Sequence, residues 1–322
     1  MEEKVDILLA TYNGEKYLRE QIESILNQTY KNIKIIISDD CSKDATKDIL
    51  KEYEKNEKIK VFYQKQNLGY VKNFEFLLKQ VESNIYMLSD QDDIWKEEKV
   101  EKTVEKLKKE NLDLVFGNLQ IVDENLNVIH NSYNDFMHLT HKIKKYNKDY
   151  RLQYLYNCIT GCTVASKKEW IDKILPFPTN SEYMIHDYWM GLIIALKGKI
   201  GYIETPYILY RQHGDNQVGT LKIRNKYKNA NEIREKIIDV KIGTFETYVQ
   251  NEDIFTDKLK KQNKQALEYF EMLKTKKSIN FRKWNIFYKL YRTETVYKFI
   301  ENFIILNFPF VLKIVLKLKN NI

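Results

Sequence analysis

Asp90, Asp92 and Asp93 stand within four positions of one another, at the end of an apolar run, in the segment Ser89-Asp90-Gln91-Asp92-Asp93-Ile94-Trp95. Carboxylates this close repel and raise one another's pKa, so a compact trio after a buried strand points to a positive partner. Oxygen ligands suit Mg²⁺ or Mn²⁺ rather than zinc, and such a cation shares its coordination with substrate phosphates. A polar loop or helix N-cap accounts for the same residues, because Asp caps helices well and Lys96-Glu97-Glu98-Lys99-Val100 reads as a helix start. Two further polar clusters, Thr11-Tyr12-Asn13-Gly14 and Asp39-Asp40-Cys41-Ser42, also follow apolar runs. Three strand ends that deliver polar groups to one edge fit a nucleotide pocket.

The elements that must hold these clusters follow from periodicity. Short apolar runs predict strands over 5–10, 33–38, 60–63, 85–88 and 112–116, and helical spacing predicts helices over 16–27, 45–56, 71–81 and 96–109. In the first helix Leu18, Ile22, Ile25 and Leu26 fall on one face. Alternation of this kind builds βαβ units, a mostly parallel sheet and an α/β fold. Residues 118–150 read as loops and short elements. The run from Cys158 to Ala165 reads as a strand in which Gly161 allows close approach. Beyond residue 220 the pattern is helical, over 222–248 and 255–274.

Composition bounds the rest. The chain has 322 residues, 43% hydrophobic and 30% charged, with three cysteines, which suits a folded protein of a reducing compartment. The apolar run at the N-terminus is too short and its flank too acidic for a signal peptide, so a cytoplasmic location is expected. Net charge is +8, and residues 276–322 carry ten Lys/Arg against two Glu, which accounts for the whole excess. Those residues interleave with aromatics such as Phe281, Trp284 and Tyr288, a pattern suited to an anionic membrane surface at the inner face of the plasma membrane or to a helical bundle with a basic face. No nucleic-acid motif accompanies the charge.

Six motifs in order resemble the family 2 glycosyltransferases, and among them the bacterial polysaccharide branch that includes rhamnosyltransferases. They are Ile7-Leu8-Leu9-Ala10-Thr11-Tyr12-Asn13-Gly14, Ser24-Ile25-Leu26-Asn27-Gln28-Thr29-Tyr30, Ile37-Ser38-Asp39-Asp40-Cys41-Ser42, the aspartate segment, His186-Asp187-Tyr188-Trp189 and Tyr210-Arg211-Gln212-His213. The resemblance implies a GT-A fold over 1–219; the helical, basic-aromatic region over 220–322 lies outside it. It implies an inverting, metal-dependent transfer from a dTDP- or UDP-linked donor to a glycan, with a lipid-linked acceptor, in surface polysaccharide synthesis. Asp92 resembles the direct ligand of a Mn or Mg divalent cation, Asp90 the carboxylate facing the ribose or the metal's water shell, and His213 a late metal or diphosphate partner. Thr11, Tyr12, Asn13, Asp40 and Asn67 match nucleotide contacts, and Arg211 is expected at the diphosphate on charge grounds. Asn73, on a helix, matches the same polar segment. Asp187 matches the general base and is also expected to cap the helix after it, and Asp93 is expected to cap the helix after the trio. Gly161, Cys162, His186 and Trp189 are expected around the acceptor, His186 standing where many relatives carry Glu. Two other classes fit parts of the pattern: a Mg²⁺-dependent phosphotransferase with an aspartate nucleophile, and a nucleotide- or carbohydrate-binding module without turnover.

Overall fold

The computed structural model describes residues 2–146, 149–178, 184–214 and 230–275. Its main sheet grows from runs that are buried on both faces, as parallel strands require. Strand β1 (Val5–Thr11) pairs in parallel with β2 (Ile33–Asp39) and with β4 (Ile85–Ser89), and β2 pairs with β3 (Ile59–Tyr63). The connecting helices are α1 (Leu18–Leu26), α2 (Thr46–Tyr53) and α3 (Tyr70–Leu78). Strands β6 (Leu114–Gly117), β9 (Ala165–Lys167) and β10 (Ile200–Ile203) complete the order β10-β6-β9-β4-β1-β2-β3, with β9 antiparallel to both neighbours. Register sets Thr11 beside Asp39, so the polar clusters that follow β1 and β2 leave the sheet together. One carboxylate lies inside β1 for a different reason. Asp6 is fully buried and accepts from the Glu82 and Ser83 amides and the Ser83 hydroxyl, which anchors the turn before β4.

A second sheet runs β5-β11-β7-β8, from β5 (Ile94–Trp95), β7 (Gln120–Val122), β8 (Val128–His130) and β11 (Ile208–Arg211). It explains a departure from the expected capping role of Asp93. Ile94 and Trp95 pair with Leu209 and Ile208, so helix α4 (Lys99–Lys109) starts only after Glu98 and Asp93 lies too far upstream to cap it. The stretch 118–150 carries β7, β8 and two helices, Tyr133–Phe136 and Thr140–Tyr146. The strand expected from Cys158 begins only at Ala165. The Gly161 amide donates to a side chain instead of a neighbouring strand, and Gly161–Thr163 close a 3₁₀ turn.

By internal packing the chain divides into two units. One comprises 1–177 with 185–216; the other comprises 178–184 with 217–322. In the second unit, helices Ala230–Gln250 and Asp257–Thr275 pack on one another through aromatics, Phe245 stacking on Phe270 at 5.9 Å. No helix among the described residues is long and apolar enough to cross a membrane. The expected membrane-contacting segment, 276–322, and the helical stretch 222–229 lie outside the described residues.

Candidate active site

Polar residues on the inner side of α1 and just beyond its end hold the aspartate segment in place. Gln21 donates to the Ser89 hydroxyl at 2.8 Å, Ser24 accepts from the Trp95 amide, and Gln28 bridges the Lys96 carbonyl and the Val100 amide. The motif around Ser24 and Gln28 therefore works as a cradle for residues 89–100. Gln91 fixes the other side. Its Oε1 accepts from the Thr11 hydroxyl at 2.6 Å and the Tyr12 amide at 2.8 Å, and its Nε2 donates to the Tyr12 carbonyl. A Cβ on Gly14 would stand 2.5 Å from Gln91 Oε1, so a side chain there would push Gln91 off the loop after β1.

The nucleotide-side residues gather at the ends of β1 and β2. Asn13, at φ 49, donates its amide to the Ser42 hydroxyl and accepts from the Lys43 amide, which locks two strand-end loops together. Tyr12 presents its ring to solvent at 40% exposure, as a stacking surface would. Asp40 is buried, and its two carboxylate oxygens accept from the Leu68 and Gly69 amides at 2.7 and 2.9 Å. Asn67 donates to the Asp40 carbonyl, and buried Asn73 to the Ser38 carbonyl. The loop before α3 is thus bound to the end of β2.

Around the trio the three carboxylates part company. Asp92 Oδ2 meets His213 Nε2 at 2.8 Å across 121 positions of sequence, so the expected pair is brought together. Asp90 lies instead with Asp93 and Cys162, each offering a ligand atom within 4.8 Å of the others. Asp93 is fully buried, accepts from the Arg211 amide and takes a hydrogen bond from the Cys162 thiol. Burial holds that thiol protonated, which makes it a poor partner for a hard cation. Burial, with Asp92 and Asp187 close by, pushes Asp90 up to about 7. A half-buried carboxylate raised by two neighbouring carboxylates is one that a divalent cation fits.

Arg211 does not face the diphosphate side as expected. Its side chain is 2% exposed, and Nε, Nη1 and Nη2 donate to the Asp92 carbonyl, the Glu124 carbonyl and the Glu20 carboxylate. The guanidinium lies 4.4 Å over the Tyr17 ring, which also packs on His213 at 4.8 Å. Arg211 is therefore a clamp that fixes the backbone of the aspartate loop. Lysine lacks the planar fork that meets three acceptors at once, so Arg211→Lys is expected to cost about 1.5–3 kcal/mol in urea unfolding. An unchanged midpoint would show that the clamp carries no stability.

Asp187 lies in the first turn of the helix His186–Lys197, whose N-cap is Ile185, so it is not the cap itself. Its Oδ2 accepts from the Gly161 amide at 2.9 Å and its Oδ1 from the Tyr188 amide at 2.6 Å. Burial pushes Asp187 up to about 6 against those two amides. Its charge is felt at Asp90 and at the Tyr70 hydroxyl, so it lies near both. Trp189 turns away: it is 4% exposed, and its indole donates to the Ile174 carbonyl. Trp95 is likewise core, with the Lys99 ammonium 3.2 Å above its ring. Sequence reasoning missed Gln91, Tyr17, Glu20 and Tyr70. Of these only Gln91, lodged between two aspartates, carried a visible signal.

Residues 6–175 match the model of the family described as Glycosyl transferase family 2. The chain belongs to that family. This family 2 transferase is 31% identical over 242 residues to the dTDP-rhamnosyl transferase RfbG of Shigella flexneri, a match that covers 71% of this chain and 80% of that one. It is 36% identical over 102 residues, 31% of its own length and 40% of the other's, to the putative teichuronic acid biosynthesis glycosyltransferase TuaG of Bacillus subtilis. Among solved structures, that of S. aureus TarS 1-349 in complex with UDP-GlcNAc aligns over 90% of this chain and 81% of that one, at 18% identity and a TM-score of 0.56. The mannosyltransferase PcManGT of Pyrobaculum calidifontis, in complex with GDP-Man and Mn²⁺, aligns over 78% and 65% with a TM-score of 0.55. At 15% identity it too speaks to the fold alone. The transferase therefore has the GT-A fold, and it is a glycosyltransferase that uses a nucleotide sugar.

Proposed function

We propose that the protein is an inverting glycosyltransferase that moves rhamnose or a hexose from a dTDP- or UDP-linked donor to a glycan acceptor. The observation that carries the reading is Asp187: a buried carboxylate raised to about 6, near enough to Asp90 for its charge to be felt there. A base there is ionised near neutrality yet basic enough to take a proton. In the proposed reaction the acceptor hydroxyl oxygen bonds to the anomeric carbon, its proton passes to Asp187, and the bond to the diphosphate oxygen breaks on the opposite face. Asp90, Asp92 and His213 would hold Mn²⁺ or Mg²⁺, which supplies charge neutralisation for the departing diphosphate. Thr11, Tyr12, Asn13, Asp40 and Asn67 would hold the base and ribose; Gly161 would border the acceptor, whereas Cys162, expected there too, is fully buried with its thiol on Asp93 and does not. A phosphotransferase that uses an aspartate nucleophile is the weaker reading, because the strand that opens the fold ends in Thr11-Tyr12-Asn13.

Thermal unfolding with dTDP-rhamnose, UDP-glucose, UDP-galactose and UDP-GlcNAc, each with and without Mn²⁺, tests the assignment. Binding at a hundredfold excess over Kd adds about 2.7 kcal/mol, so one donor should raise Tm by several degrees, and only with the cation. If no donor moves Tm under either condition, the reading fails. The name of RfbG supports a dTDP-rhamnose donor and that of TuaG a role in polysaccharide synthesis; with these we place a lipid-linked acceptor and a site at the cytoplasmic face of the membrane as part of the proposal. The basic residues of 276–322 support contact with anionic lipid. Removing 276–322 should then release the protein from phosphatidylglycerol vesicles, and undiminished sedimentation with them would refute the contact.

A further inference from the structure

Aromatic rings hold two histidines of this protein, to different ends. His186, expected beside the acceptor, stacks on Phe74 at 4.4 Å with both ring nitrogens sealed from solvent, so it offers nothing to a sugar. His213 reaches Asp92 Oδ2 at 2.8 Å, and its ring packs at 4.8 Å on Tyr17. Tyr17 is itself buried and stands at the N-cap position of α1. Its amide donates to the Gly14 carbonyl at 3.1 Å and its carbonyl accepts from the Gln21 amide at 3.2 Å, so the ring hangs from a backbone fixed on both sides.

What surrounds that ring is unlike a core. The main apolar core takes Leu18, Ile22 and Ile25 from α1, and Tyr17 packs outside it. Its neighbours are the Arg211 guanidinium at 4.4 Å, the Lys16 ammonium at 4.9 Å and the His213 imidazole. Beyond β11 the Gln212 amide donates to the Val122 carbonyl, and in an extended run residues two apart share a side. Arg211 and His213 accordingly meet the same ring. The Tyr17 hydroxyl adds little, because it stands 3.4 Å from a Glu124 carboxylate oxygen that already accepts from Lys16 at 2.6 Å. The aromatic face is therefore the part of Tyr17 that acts.

We infer that Tyr17 is the positioning residue of the metal-binding histidine: its ring fixes the His213 imidazole toward Asp92 and thereby sets the affinity for the divalent cation. This rests on Asp92 and His213 holding the cation. An imidazole nitrogen has a single lone pair in the ring plane, so the plane must be set from outside the coordination shell, and losing such support costs about 10–100-fold in metal affinity or activity. The aromatic face also favours positive neighbours, and a histidine bound to a dication carries part of that charge. Tyr17 thus stabilises the loaded site as well as its geometry. It belongs to the turn that follows Thr11, Tyr12 and Asn13, so the nucleotide loop and the metal histidine share one support.

Mn²⁺ is titrated into the full-length protein with dTDP present, and in a second series with UDP. Free ion is counted by its electron paramagnetic resonance signal against a nucleotide-only blank. Tyr17→Leu removes the aromatic face and should raise the Kd for Mn²⁺ about tenfold or more. Tyr17→Met provides a second ring-free variant should the first fail to fold. Tyr17→Phe keeps the face and should stay within about twofold of the parent, given the long hydroxyl contact. The decisive comparison is made in His213→Ala: there the ring has no imidazole to hold, so adding Tyr17→Leu should weaken Mn²⁺ binding no further. A Tyr17→Leu protein that melts earlier yet binds Mn²⁺ like the parent would show packing alone and overturn the inference. So would a Phe variant as impaired as the Leu variant, or a full additional loss in the His213→Ala background. Parent-like Mn²⁺ binding by His213→Ala, or none by the parent, would instead overturn the metal assignment beneath it.

Discussion

Asp187→Asn is expected to lower sugar transfer by about 10²–10⁴-fold, the range that a positioned general base contributes. Donor affinity measured by calorimetry should stay within a few-fold of the parent value. The substitution carries a local cost that has to be read separately. Both carboxylate oxygens of Asp187 accept backbone amides, from Gly161 and Tyr188, and asparagine must turn its NH₂ toward one of them. A donor facing a donor costs about 1–3 kcal/mol, so Tm and donor binding are measured beside activity. Retained transfer in a folded, donor-binding variant would remove Asp187 from the chemistry.

The same carboxylate sets a pH dependence. Its folded pKa is raised from 3.8 to about 6 by burial, so it is protonated, and useless as a base, below that pH. Transfer should rise as pH climbs through about 6 and then level off; with the cation bound, added positive charge moves the midpoint lower. The sign for stability is opposite. Because the folded form holds its proton more tightly than the unfolded chain, the fold gains stability as pH falls from about 6 towards 4 and loses it on the way up. Activity and stability near pH 6 should therefore run in contrary directions, a pattern an ordinary surface aspartate would not produce.

The parts of this site that were legible in the sequence are those written in short-range patterns. Alternating strands and helices over the first 109 residues stand out because their periods differ, and the polar clusters stand out because nothing in a strand end asks for acid. What could not be read is pairing across the fold. His213 meets Asp92 over 121 positions and the Arg211 amide meets Asp93 over 118, and neither spacing has any local signature. Arg211 illustrates the cost of arguing from charge. A lone arginine beside a diphosphate-type motif looks like a phosphate ligand, yet a two-residue strand, Ile94–Trp95, pairs with β11 and draws Arg211 beneath the loop it braces. The same strand pairing keeps Asp93 from capping a helix. Gly161 was visible as a glycine that permits close approach, but what approaches it, Asp187 and His186 together, lies a further stretch of chain away.

Asp92→Asn should abolish the cation's effects and, with them, most of the transfer. The backbone carbonyl of Asp92 holds Arg211 and is untouched by the substitution, so the loop keeps its clamp; what changes is a carboxylate oxygen 2.8 Å from His213. Removing one charged group from a site built for a departing diphosphate costs about 10²–10³ in kcat. The diagnostic is non-additivity: EDTA should impair the parent protein about as much as the substitution does, and should impair the variant little further. The Mn²⁺-induced rise in Tm should vanish with it. In the parent that rise has its own pH signature. Without cation, burial together with Asp92 and Asp187 holds Asp90 near 7, far above its ordinary 3.8, so the metal-free fold loses stability as pH climbs from about 4 to 7 and Asp90 is forced to ionise. Mn²⁺ binds the ionised form and cancels that loss. The metal-induced shift in Tm should therefore be small at pH 5, grow through about pH 7 and level off above it. A shift that is independent of pH, or one that survives Asp92→Asn, would place the cation somewhere other than between these carboxylates.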